Sequence, residues 1–222
     1  MRLLLGTLLA VAACGGDDGG SPGTLDAATS SDAATSSDAP SPGLTVTWTA
    51  QPPIPGPFEG DVLVTSVKVE LARLEVIGDA GSTDDTTQRD FDVTWSATQS
   101  PSSIAFFSAQ PGLYSKVSLA IDGDVVAPSY EILGTVKIGG TTETFKISDT
   151  AALEVDIDNY DIQLTAGRSM IVPIRIDLDD ALDAIDFAML PNVGGVRTMD
   201  QTTPGIQAVR DAFDTTVFRR GG

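Results

Sequence analysis

The residues able to do chemistry in this chain are few in kind. Histidine is absent and Cys14 is the single cysteine. That excludes zinc sites built on His or paired Cys, Ser-His-Asp and Cys-His nucleophiles, and any intramolecular disulfide. Carboxylate, Lys, Tyr and Ser/Thr chemistry remains. The chain has 31 acidic residues against 13 basic ones, for a net charge of −18. A surface of that sign repels nucleic acid and anionic lipid headgroups, so no nucleic-acid partner is expected. It favours cationic partners or divalent ions.

The carboxylates cluster twice. Asp156, Asp158, Asn159 and Asp161 lie within six residues, a spacing of hard oxygen ligands that can hold Ca²⁺. An EF-hand loop would need an oxygen ligand fifth and glycine sixth, where this chain has Tyr160 and Asp161. Asp177, Asp179 and Asp180 form the second cluster. On so acidic a protein both read more simply as solvated outward positions, and no metal or cofactor is expected. Trp48 and Trp95 are capable of stacking on sugar, yet each is in phase with core residues, so burial is expected for both. Tyr114 follows a glycine turn and is placed to hydrogen-bond backbone at a sandwich corner. No P-loop, dinucleotide fingerprint or basic patch is present. No residue is assigned a catalytic role.

The most specific signal is at the N-terminus. Met1-Arg2 carries one positive charge, and Leu3 to Ala10 is a short apolar run before Val11-Ala12-Ala13-Cys14. A spanning helix needs roughly 20 apolar residues, so this run suits a secretory signal rather than a transmembrane anchor. Val11 to Cys14 resembles the bacterial lipobox: aliphatic, small, small, cysteine. That resemblance implies a signal peptide over residues 1–13, cleavage before Cys14, a thioether diacylglycerol on its sulfur and a further acyl chain, such as palmitate, on the new amine. Two or three acyl chains hold a membrane firmly where one does so only marginally. Gly15 after the cysteine, in place of aspartate, favours the outer membrane by analogy with enteric sorting. The alternative is an ordinary secretory signal with a chance cysteine.

Residues 14–43 follow as the lipidated cysteine and a linker. From Gly15 to Gly43 the chain is almost exclusively Gly, Ser, Thr, Ala, Asp and Pro, and Asp26-Ala-Ala-Thr-Ser-Ser31 recurs as Asp32-Ala-Ala-Thr-Ser-Ser37. Leu25 is its sole large apolar residue. Such a segment has nothing to bury, so a disordered acidic tether is expected.

The elements that must position any site begin at Leu44, and a single domain over residues 44–222 is expected. Leu44, Val46 and Trp48 alternate along one face. Val67, Val69 and Leu71 alternate, and the phase then shifts to Leu74 and Val76 across Ala72-Arg73, which predicts a bulge. Gly78 to Asp90 reads as a polar loop. Phe91, Val93 and Trp95, then Ile104 to Phe107, then Val117, Leu119 and Ile121 continue the pattern. Val136-Lys-Ile138 and Phe145-Lys-Ile147 flank Gly139-Gly140, a hairpin signal. Leu153 to Ile157 alternates, as does Met170 to Leu178, where Pro173 predicts an edge strand or a bulge. Leu178, Leu182, Ile185 and Met189 have helical spacing. A second short helix is predicted with Thr203 as N-cap, Pro204 as first residue and Ile206, Val209 and Phe213 as buried stripe. Many short strands at roughly 10-residue spacing argue for an all-β fold, an antiparallel β-sandwich with one or two short helices near the C-terminus.

Leu44-Thr-Val-Thr-Trp-Thr-Ala50, Val67-Lys-Val-Glu-Leu71, the run Gln110 to Ile121 and the strand Ser169 to Leu178 together resemble the bacterial lipoprotein domains of domain-of-unknown-function family 4382. The resemblance covers residues 44 to 188 and implies a prealbumin-like or immunoglobulin-like sandwich, with no active site. The expectation is a membrane-tethered, non-catalytic envelope or surface lipoprotein that binds a protein or polysaccharide partner or has a structural role. The alternative is a carboxylate-based hydrolase of envelope or extracellular polysaccharide.

Overall fold

The computed structural model describes residues 42–58, 61–123 and 127–222. These are mostly strands: β1 (Gly43–Ala50), β2 (Gly56–Pro57), β3 (Val62–Gly78), β4 (Thr87–Ser96), β5 (Ile104–Phe106), β6 (Gly112–Ile121) and β7 (Tyr130–Ile138). Then come β8 (Thr141–Asp149), β9 (Leu153–Ile157), β10 (Ile162–Leu164), β11 (Ser169–Ile176), β12 (Asn192–Val193), β13 (Val196–Met199) and β14 (Phe218–Arg220). Two short helices near the C-terminus, α1 (Asp179–Asp183) and α2 (Ile206–Ala212), complete the fold.

A small sheet runs β14-β11-β1-β5, and a larger, curled one is ordered β10-β6-β3-β7-β8-β13-β12, with β2 and β4 also on β3 and β9 on β6. One hydrophobic cluster joins them, drawing Val46, Val172 and Ile174 from the small sheet and Val67, Leu119 and Ile147 from the large one. The sheets are mixed, which corrects the antiparallel expectation. β1 lies parallel to β11, from Gly43 beside Ser169 to Ala50 beside Ile176, and β13 lies parallel to β8. Alternation tells which way side chains face. It says nothing of which strand is the neighbour.

β3 organises the large sheet. Val67, Val69, Leu71, Leu74 and Val76 are all buried, and the β3–β6 pairing shifts between Leu71 and Arg73, the bulge read from the phase change. On β4 the residue opposite Ala72 is Asp90, at φ 53°, a left-handed conformation that aspartate tolerates. Gly139 and Gly140, both at positive φ, close the β7–β8 hairpin as expected. Gly134 on β7 is required for a different reason: a Cβ there would sit 2.2 Å from the Leu63 carbonyl oxygen and 2.5 Å from the Phe145 ring.

Four expectations are corrected. Pro173 is on neither an edge strand nor a bulge, since β11 is flanked by β1 and β14. The Gly221 amide donates to the Pro173 carbonyl, which faces the β14 side. A strand residue's N and O face the same neighbour, so the missing donor faces Gly221, just past the last residue of β14, and the proline forgoes only the reciprocal bond at the end of that ladder. The loop after β3 is shorter than read, because β4 already begins at Thr87, after a 3₁₀ turn at Thr83–Thr86 that the Thr86 hydroxyl ties to the Val76 carbonyl at 2.7 Å. α1 ends at Asp183, so Leu178, Leu182 and Ile185 are buried while Met189 is 78% exposed. A 3₁₀ turn at Phe187–Met189 buries Phe187 in its stead. α2 keeps its stripe of Ile206, Val209 and Phe213, but its N-cap is Gly205 at φ 94°. Thr203 instead closes a turn on Asp200, its hydroxyl 3.0 Å from that residue's amide.

Candidate functional site

Cys14, the leader and the linker up to Ser41 lie outside the described residues. The domain itself offers three places where side chains of functional type meet.

The first is the tryptophan pair. The two rings meet edge to face, 6.5 Å between centroids at 86°. Trp95 is 5% exposed, as read from its phase, but Trp48 is half-buried. The cause is local: β5 pairs with β1 only from Leu44 to Val46 and stops before Trp48. Trp48, Thr49, Ala50, Pro53, Ile54, Trp95, Ser100 and Pro101 therefore line an open cleft of about 310 Å³. The Trp48 indole nitrogen is buried and meets no acceptor in the described protein.

The second is an acidic cleft of about 440 Å³, lined by Glu70, Leu71, Ala72, Asp90, Phe91, Asp92, Asp122 and Gly123. It forms where the β3 bulge and the Asp90 kink splay the strands. Lys68 spans two of its acids, 2.9 Å from Asp92 and 3.7 Å from Glu70. The Asp92 contact holds the ammonium above its usual pKa against the downward push of burial.

The third was not legible in the sequence. Asp149, at the end of β8, is fully buried and accepts from Arg210 Nε at 2.6 Å and Nη2 at 2.9 Å. The Tyr130 hydroxyl donates to it at 3.2 Å, and the Thr150 and Ala151 amides at 2.8 and 3.2 Å. Burial alone would raise this carboxyl, but the Arg210 bonds and then the two amides outweigh it, so it titrates below the ordinary value. Burial, then the Asp149 charge, push the Tyr130 phenol well above its usual range. Phe213, beyond α2, stacks on Tyr130 with centroids 4.1 Å apart. With both carboxylate oxygens engaged, the group is a clasp fastening α2 onto β7 and β8. An aspartate ending a strand and an arginine on a helix, 61 residues apart, carry no local signal of pairing.

The two aspartate clusters do not converge. Asp156 is held by Lys116 Nζ at 2.6 Å, Asp158 and Asp161 are exposed, and Asn159 is at φ 66°. Asp180 meets Arg219 at 3.0 Å, and Asp177 lies 3.9 Å from Arg175. Among the described residues no group of three or more acidic side chains is arranged to hold a metal ion. Tyr114 does what its position suggested: its hydroxyl donates to the Gln110 carbonyl at 2.8 Å. No described helix is long and apolar enough to cross a membrane. Comparison with protein-family models, curated proteins and solved structures finds no match to this chain.

Proposed function

We propose that this chain is a lipid-anchored, non-catalytic lipoprotein of the bacterial envelope, with the β domain held outside the cytoplasm as a binding or structural module. The observation that carries the proposal is Val11-Ala12-Ala13-Cys14 behind a charged start and a short apolar run. The palmitate-type acyl chains belong on Cys14, and the outer membrane is the favoured destination. The lack of His and the single Cys restrict catalysis to carboxylate, Lys, Tyr and Ser/Thr chemistry, and of the carboxylates Asp92 is held by Lys68 and Asp149 by Arg210. The finer fold reading, a prealbumin-like or immunoglobulin-like sandwich of the family-4382 kind, is part of the same proposal. Its supports are one core shared by two sheets and the Tyr114 corner. Mass spectrometry of the mature N-terminus tests the anchor: a diacylglyceryl mass on Cys14 is expected, and Cys14→Ser should release the protein from membranes. An unmodified chain starting elsewhere refutes it.

The acidic cleft is the one observation favouring a carboxylate hydrolase instead. That reading requires Asp92→Asn or Asp122→Asn to abolish release of sugar from envelope polysaccharide.

A further inference from the structure

The half of β1 that β5 leaves uncovered has a defined chemistry. The Gly43 amide donates to Arg168 and the Gln51 amide to Ile176, so odd-numbered residues of β1 direct their backbone toward β11. Even-numbered residues face the other way. Leu44 and Val46 meet Phe106 and Ile104 of β5, but among the described residues no strand lies beside Trp48 and Ala50. Their amides and carbonyls form an open sheet edge, a template for a further strand. Beside it is the Trp48–Trp95 cleft, with Pro53 and Pro101 on its rim. An edge of backbone donors and acceptors is complementary to a peptide backbone in a way it is not to a sugar ring. An apolar cleft flanking the edge is where an alternate side chain of the added strand falls. The chain's charge of −18 selects among peptides, since an acidic one would be repelled before it docked.

We propose that the free edge of β1 at Trp48–Ala50 docks an extended cationic segment of another protein, which adds as a strand and seats an apolar side chain against Trp48 and Trp95. This deepens the reading of the domain as a binding module and does not depend on lipid at Cys14.

The test uses the full chain in detergent and an acetylated, amidated Lys-Val-Lys-Val-Lys peptide as probe. Binding is read by tryptophan emission and by amide hydrogen exchange. The expected result is a saturable emission change with exchange at the Trp48 and Ala50 amides slowed by at least about tenfold. The same peptide N-methylated at alternate residues, and its Glu-Val counterpart, should do neither. Ala50→Pro, which removes an edge amide and leaves the β11 ladder intact, should abolish the effect with an unchanged melting temperature; Thr47→Val, on the same strand but outside the cleft, serves as the control that retains it. Protection by the N-methylated peptide, or none by the parent, overturns the proposal. So does an emission change produced by cellohexaose and not by the peptide, which would give the cleft to sugar. Protection of β1 without peptide in a dimeric chain overturns it too, because the edge would then hold a second copy. Peptide binding that protects other amides overturns the docking edge but leaves the binding-module reading standing.

Discussion

Arg210→Ala is expected to destabilise the domain by about 3–5 kcal/mol at neutral pH, the usual cost of stranding a buried charge. The structure shows why. Asp149 has no exposed surface, and the guanidinium supplies two of its five hydrogen bonds. Charge-assisted bonds contribute roughly 1.5–3 kcal/mol each. The Tyr130 hydroxyl and two amides survive the substitution, and Arg210 itself is 23% exposed, so entering water offsets part of the loss. The pH dependence is more diagnostic than the magnitude. In the native protein the folded carboxyl titrates below its unfolded value of about 3.9, so its stabilising contribution is complete above that pH and lost only as pH falls through the lower folded value. Without Arg210 the upward push of burial is left opposed only by the weaker donors, and the folded pKa rises above the unfolded one. The variant is then penalised little near pH 4 and by about 1.4 kcal/mol more per unit as pH climbs toward the raised value. Urea melts of both proteins from pH 4 to 8 measure this directly. A difference below about 1 kcal/mol, or one equal at pH 4.5 and 7, would refute the clasp. Asp149→Leu with Arg210→Met should recover much of the loss, since removing both partners leaves no orphan charge.

Three other substitutions probe the packing. Trp95→Ala should cost roughly 3–5 kcal/mol and Trp48→Ala distinctly less, with iodide quenching Trp48 in preference to Trp95 in single-tryptophan variants; equal costs and equal quenching would contradict the placement of β5. Tyr114→Phe removes the bond to the Gln110 carbonyl and should cost about 1 kcal/mol in urea melts, while a neutral result would deprive the corner of its role. Gly134→Ala drives a Cβ into the Leu63 carbonyl and should destabilise by about 1–3 kcal/mol or more, so an unchanged melting temperature would mean that β3 and β7 are not in this register.

The parts of the fold legible in the sequence are those set within a few residues. The Gly139-Gly140 hairpin, the change of phase across Ala72-Arg73 and the inward faces of β3, β6, β9 and β11 all follow from local sterics and burial. Pairing is a different kind of information. Pro173 reads as an edge residue under the local rule, and only the arrival of β14 from 45 positions later shows that its missing donor faces the end of a ladder. Met189 failed for a similar reason. Four apolar residues at helical spacing continue a helix only if the backbone does, and here it leaves the helix after Asp183.

The same distinction decides which chemistry a sequence reveals. Trp48 and Trp95 have equal alternation, and nothing local separates them. What separates them is the length of β5, three residues that cover Leu44 to Val46 and stop. One more pair of residues on β5 would seal Trp48 and complete the sheet edge. As built, the shortness of that strand exposes backbone and aromatic surface at one point, and both are features a partner can use. Conversely, Asp149 looks like any other acid in a chain of 31, yet it is fully buried and held below its ordinary pKa, because three segments converge on it. In a protein so rich in aspartate, composition argues only for solubility and the sign of a partner. Function must be sought where strands end early, because there the fold leaves polar backbone unpaired.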